Sequence, residues 1–83
     1  MLVHDPKLAA YLQYKSYRFT LENPPVGPIT FDFDAPQEAA EEYFANVPVG
    51  VFAYASALEQ IKALISASLT QRHRARERER GAR

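Results

Sequence analysis

Two short alternating runs constrain this chain more than any other feature. In YRFTLE (residues 17–22), Tyr17, Phe19 and Leu21 alternate with Arg18, Thr20 and Glu22; in ITFDF (residues 29–33), Ile29, Phe31 and Phe33 alternate with Thr30 and Asp32. A period of two places each set on its own face of a strand. Between the runs lies NPPVGP, dense in turn formers. The pair reads as an antiparallel hairpin with one aromatic face that something must cover. Matching the patterns sets Leu21 opposite Ile29, Phe19 opposite Phe31 and Tyr17 opposite Phe33. The same register sets Thr20 against Thr30 and Arg18 against Asp32. A slip of one residue would turn every ring into water, so the choice of face is strongly specified.

The rest of the chain supplies the cover. Residues 1–4 are apolar enough for a short strand. Asp5-Pro6 then opens a helix, with an Asp cap and a Pro at the first helical position. Leu8, Tyr11 and Leu12 share one face of that helix. After the hairpin, Asp34-Ala-Pro-Gln37 reads as a second helix start capped by Asp34, and the helix runs through Ala39, Ala40, Tyr43 and Phe44 to Asn46. VPVG breaks it, and residues 47–49 fit an edge strand, the one place in a sheet that accepts Pro48. A long helix follows from about Gly50 or Val51. Its stripe is Tyr54, Leu58, Ile61, Ile65 and Leu69, with Phe52 at its start. The order β-α-β-β-α-(β)-α defines a small α+β fold, with an antiparallel or mixed sheet of three or four strands and helices on its aromatic face.

The segments LVHDPKLAAYLQYKSYRF, ITFDF, EEYFAN and FAYASALEQIKALI, which span about residues 2–66, resemble a family of small bacterial and phage domains of unknown function. The family often has Gly after the first helix, where this chain has Ser16-Tyr17. The resemblance implies the same element order and no particular activity. It also implies an accessory role of phage or mobile-element type, in handling DNA or host proteins.

Eighty-three residues fit one domain. Nearly half are apolar, a globular composition, and no apolar run reaches the ~20 residues of a membrane span. The absence of cysteine excludes disulfides, a thiolate nucleophile and a Cys-based zinc site. MLVHDPK has no export-signal pattern, so a cytoplasmic protein is expected.

The acidic group Asp32, Asp34, Glu38, Glu41 and Glu42 invites a metal or acid–base reading. Its members have ordinary structural explanations, however. Asp32 lies opposite Arg18, Asp34 serves as a cap, and Glu38 with Glu42 forms a solvent-facing pair. His4 and His73 sit at opposite ends of the chain, no serine has a nucleophile-elbow context, and Gly27, Gly50 and Gly81 are too dispersed for a phosphate loop. The expectation is a protein without enzymatic activity, metal or cofactor.

The net charge of zero conceals an asymmetry. Residues 1–71 hold four bases against eight acids, a net charge of −4, and residues 72–83 hold six arginines against Glu77 and Glu79, a net charge of +4. The chain thus divides into an α+β domain over residues 1–71 and an Arg/Glu-rich extension over residues 72–83. Arg72, Arg74, Arg76, Arg78, Arg80 and Arg83 are the candidate nucleic-acid contacts, since guanidinium groups engage phosphates and release counterions. If helical, the extension would also carry the pairs Arg74–Glu77, Arg76–Glu79 and Glu77–Arg80. The long helix outruns what a small sheet can cover, which points to a homodimer. The alternative is a protein-interaction module, an inhibitor or adaptor of a host protein, with no nucleic-acid role.

Overall fold

The computed structural model describes residues 1–81, with side chains through Arg78. It has three strands and three helices: β1 (Leu2–Val3), α1 (Pro6–Tyr14), β2 (Phe19–Glu22), β3 (Thr30–Phe33), α2 (Gln37–Phe44) and α3 (Val51–Gly81). The sheet is antiparallel in the order β1-β3-β2. The alternation of the two runs places Phe31 and Phe33 in the core, with Phe19 and Leu21 packed against it. The rings of Phe19 and Phe33 lie 4.9 Å apart. Helix α1 covers this face with Ala9, Ala10, Tyr11 and Leu12, and α3 adds Ala57 and Ile61.

The hairpin register differs from the expected one by two residues. Phe19 faces Phe33, Leu21 faces Phe31, Thr20 faces Asp32 and Glu22 faces Thr30. A two-residue shift keeps every side chain on its own face, so alternation alone cannot distinguish the two registers. Asp32 therefore does not pair with Arg18. It faces Leu2 on β1 and lies 3.3 Å from the Met1 amine.

The α1 cap forms as expected: the Lys7 N–H donates to the Asp5 carboxylate at 3.0 Å. The α2 cap does not. Pairing with β2 continues past the end of β3, because the Asp34 N–H donates to the Arg18 carbonyl at 2.8 Å. Asp34 is thereby held beside the sheet, and Pro36 takes the cap position with no side-chain bond. Residues 47–49 form no strand, and the sheet among the described residues has three. Pro48 donates no hydrogen bond to a ladder.

Helices α1 and α2 end alike. Ser16 and Asn46 take left-handed backbone angles, φ 69° and 61°. Around them, Tyr17 N–H donates to Leu12 O and Ser16 N–H to Gln13 O, and Val47 N–H and Asn46 N–H repeat the pattern onto Glu42 O and Tyr43 O. This is the paired 6→1 and 5→2 closure that satisfies the last helical carbonyls.

Candidate nucleic-acid interface

Helix α3 spans 31 residues. Its first half lies along α1. Tyr54 Oη donates to the Lys7 carbonyl at 3.0 Å, and the Gln13 side chain donates to Gln60. Its buried stripe is Ala57, Ile61 and Ser68, flanked by the partly buried Leu58, Leu64 and Ile65. Two residues assigned to the stripe from sequence lie outside it: Leu69 is 51% exposed and Phe52 is 89% exposed. The face of α3 that meets the body near its middle is set by Ser68, one residue from Leu69.

That position depends on a polar strap. Asn23, at the start of the proline-rich hairpin loop, donates from Nδ2 to the Ser68 carbonyl at 3.0 Å. It accepts from Arg72 Nε at 2.6 Å. The loop thus grips α3 one turn before the basic segment. Arg72 Nη2 is buried with no hydrogen-bond partner among the described atoms. Beside the strap lies an open cleft of about 410 Å³, lined by Asn23, Pro25, Val26, Gln71, Arg72, Ala75 and Arg76.

The six arginines therefore divide. Arg72 is partly buried and engaged by Asn23, whereas Arg74, Arg76 and Arg78 are exposed. The helix runs to Gly81, so Arg80 continues it in backbone; its side chain, and Arg83 entirely, lie outside the described residues. Of the expected internal pairs, Arg74–Glu77 does not form. His73 takes Glu77 instead, 3.0 Å away across one turn. Arg76–Glu79 and Glu77–Arg80 involve side chains outside the described set. Four-residue spacing puts Arg72 and Arg76 on one side of the helix and Arg74 and Arg78 on another. A phosphate backbone could meet either side.

The acidic group does not converge. Among the described residues, no three His, Asp or Glu side chains are grouped as a metal ion requires. Asp32 lies on the sheet and Asp34 at its margin. Glu38 and Glu41 are exposed on α2. Glu42 is not simply a solvent-facing partner of Glu38: its carboxylate accepts the Tyr11 hydroxyl at 3.0 Å. His4, exposed after β1, is remote in sequence from His73.

A second concavity, about 250 Å³, lies where α1, α2 and the start of α3 meet. Tyr11, Tyr43, Asn46, Val47, Val49 and Tyr54 line it. Tyr11 and Tyr43 have ring centroids 5.7 Å apart, tilted by 51°. Burial pushes all three tyrosine hydroxyls above their ordinary pKa. The hydrogen bond to Glu42 adds to this at Tyr11, and the charge of Asp5 adds to it at Tyr43 and Tyr54. No signal in the sequence links these rings, which come from three helices. Asn23 was equally hidden, since its loop reads only as a turn.

No protein-family model matches the chain, and no curated protein or solved structure is significantly similar to it. No helix among the described residues is long and apolar enough to cross a membrane.

Proposed function

We propose that this chain is a non-enzymatic accessory protein that contacts nucleic acid through the exposed end of α3. The observation that carries this reading is the placement of Arg74, Arg76 and Arg78, all exposed on one helix beyond the last residue strapped to the body. Arg80 and Arg83 extend the same sequence pattern. The acidic body would repel a polyanion, so contact falls to the arm. A phage or mobile-element setting rests on the sequence pattern alone, and a cytoplasmic location goes with this reading. The test is fluorescence anisotropy of a short DNA duplex across a salt series. Three neutralised phosphates would give a slope of log K against log salt of about −3. Replacing Arg74, Arg76 and Arg78 with Ala should flatten that slope and weaken binding. Salt-independent binding, or binding unchanged by the triple substitution, would defeat the proposal.

A second reading is favoured by a different surface. Phe44, Val47, Val51 and Phe52 are all exposed around the connection from α2 to α3. Large apolar side chains gathered in this way mark interaction surfaces. A second copy of the chain is the simplest occupant, and a host protein is the alternative. Light scattering of the wild type against Phe52→Glu separates the dimer from the monomer: a dimer that the charge dissociates supports self-association.

A further inference from the structure

Strand β2 is an edge of the sheet. In the order β1-β3-β2 it has a strand on one side only, and β3 is the element whose backbone runs alongside it. The opposite edge, β1, is two residues long, and so short an edge is itself a protection against pairing. β2 is longer, and the run YRFTLE contains no Pro, Gly or Lys to blunt it. One hydrogen bond fixes the direction of its backbone groups. Asp34 N–H donates to the Arg18 carbonyl at 2.8 Å, so Arg18 faces β3. Alternation turns Thr20 and Glu22 toward β3 as well, and aims the N–H and C=O of Phe19 and Leu21 away from the sheet. The side chains sort likewise: Phe19 and Leu21 are half-buried beside the core, and Arg18, Thr20 and Glu22 are exposed.

We propose that this edge pairs with the β2 edge of a second copy, antiparallel and centred on Thr20, joining the two three-stranded sheets into one. The strand's own sequence selects the occupant. About a two-fold axis at Thr20, Phe19 lies opposite Leu21 of the second copy. Both are residues whose backbone groups point outward, so each such pair exchanges both its hydrogen bonds. On the polar face Arg18 lies opposite Glu22 of the second copy, and the symmetry repeats the pair. Both charges are available for this. Asp32, the partner expected for Arg18, is held by the Met1 amine; Arg18 forms no ion pair among the described residues; and Glu22 accepts only from the Thr30 hydroxyl, at 3.4 Å. A register shifted by two residues would set Arg18 against Thr20 or Pro24 of the second copy and lose both pairs. The ladder also ends by itself, since Tyr17 N–H already donates to Leu12 O and Pro24 has no N–H. A foreign strand would satisfy the same backbone groups, but the matched charges single out a second copy. This surface is separate from the arginine arm and from the apolar cluster around Phe52, and it rests on neither.

Sedimentation velocity of the full chain over a concentration series should show a monomer–dimer equilibrium, and amide hydrogen exchange should locate it. The Thr20 amide, facing β3, should be protected at every concentration, whereas those of Phe19 and Leu21 should gain protection only as the dimer forms. Arg18→Glu sets like charges across both symmetric pairs and should weaken dimerisation roughly 5-fold or more, as should Glu22→Arg. Mixed together, these two variants are complementary and should form a heterodimer. The double variant Arg18→Glu/Glu22→Arg restores opposite charges and should dimerise as the wild type does. Both side chains are exposed, so the substitutions leave the core intact. A chain that stays monomeric up to ~1 mM, the weak limit of useful affinity, would overturn the proposal. So would single reversals that dimerise like the wild type, or a dimer that protects neither Phe19 nor Leu21. Phe52→Glu should leave the equilibrium unchanged; a dimer that it abolishes would place self-association on the other surface and overturn the pairing of β2.

Discussion

Ser16 sits in a backbone conformation that L-residues with a Cβ adopt only at a cost, φ 69°. Its neighbours complete the helix-end closure regardless, with Ser16 N–H to Gln13 O at 2.8 Å and Tyr17 N–H to Leu12 O at 3.1 Å. Glycine removes the steric penalty at such a position, though it loosens the unfolded chain. Ser16→Gly should therefore raise stability by about 0.5–1 kcal/mol, read as a higher urea midpoint at unchanged m-value. Asn46, in the same conformation, belongs to a residue type that tolerates it better. The tyrosines set a second expectation. Tyr11 is raised above 10.0 by burial and then by its bond to Glu42. Below about pH 10 both folded and unfolded chains hold this proton, and its stabilising contribution is complete. As pH climbs from there toward the folded-state value, only the unfolded chain releases the proton, so stability falls. Denaturation at about pH 8 and pH 11 should show that loss shrinking in Tyr11→Phe. The phenylalanine variant should also be less stable at the lower pH by about 1 kcal/mol, having lost the Glu42 bond.

Between elements, the decisive connection is the strap from the hairpin loop to α3. Asn23→Ala removes the partner of Arg72 Nε and the donor to the Ser68 carbonyl together. Arg72→Ala removes the guanidinium. Because the two groups touch, a double-mutant cycle should give a coupling of about 0.5–3 kcal/mol, measured by chemical denaturation. A coupling near zero would mean that the loop does not hold the helix. This strap also marks the limit of what could be read from the sequence. The strands, helix α1 with its Asp5 cap and the start of α3 at Val51 were legible, because local periodicity and turn chemistry specify them. The hairpin register was legible only to within two residues, since a two-residue shift preserves the aromatic face. Asp34 lost its expected cap role to Arg18, a partner sixteen positions away. The stripe of α3 was displaced from Leu69 to Ser68, where Asn23 holds the helix backbone. Each departure depends on a contact between segments remote in the chain, which no local pattern encodes. The arginine segment was visible at once from composition, whereas the tyrosine concavity needs three helices in place before it exists.

The whole molecule measures 53 × 25 × 17 Å. That elongation comes from α3, whose 31 residues, at about 1.5 Å each, outrun the rest of the fold. The core cluster draws on α3 only through Ala57 and Ile61, with Tyr54, Leu58, Leu64 and Ile65 beside it. Removing residues 73–83 should therefore leave the thermal midpoint close to that of the full chain while lowering the helical signal in circular dichroism. A large drop in the midpoint would mean that the basic segment is part of the folded core. The same geometry sets how the protein meets other charged bodies. With −4 on residues 1–71 and +4 on residues 72–83, the chain is a molecular-scale dipole that is nearly neutral from afar and strongly polarised at close range. In the field of a polyanion it experiences a torque before any attractive collision, which swings the guanidinium end forward. Productive encounters would then be selected by orientation more than by frequency, and dilute salt would speed them chiefly by lengthening the distance at which the turning begins.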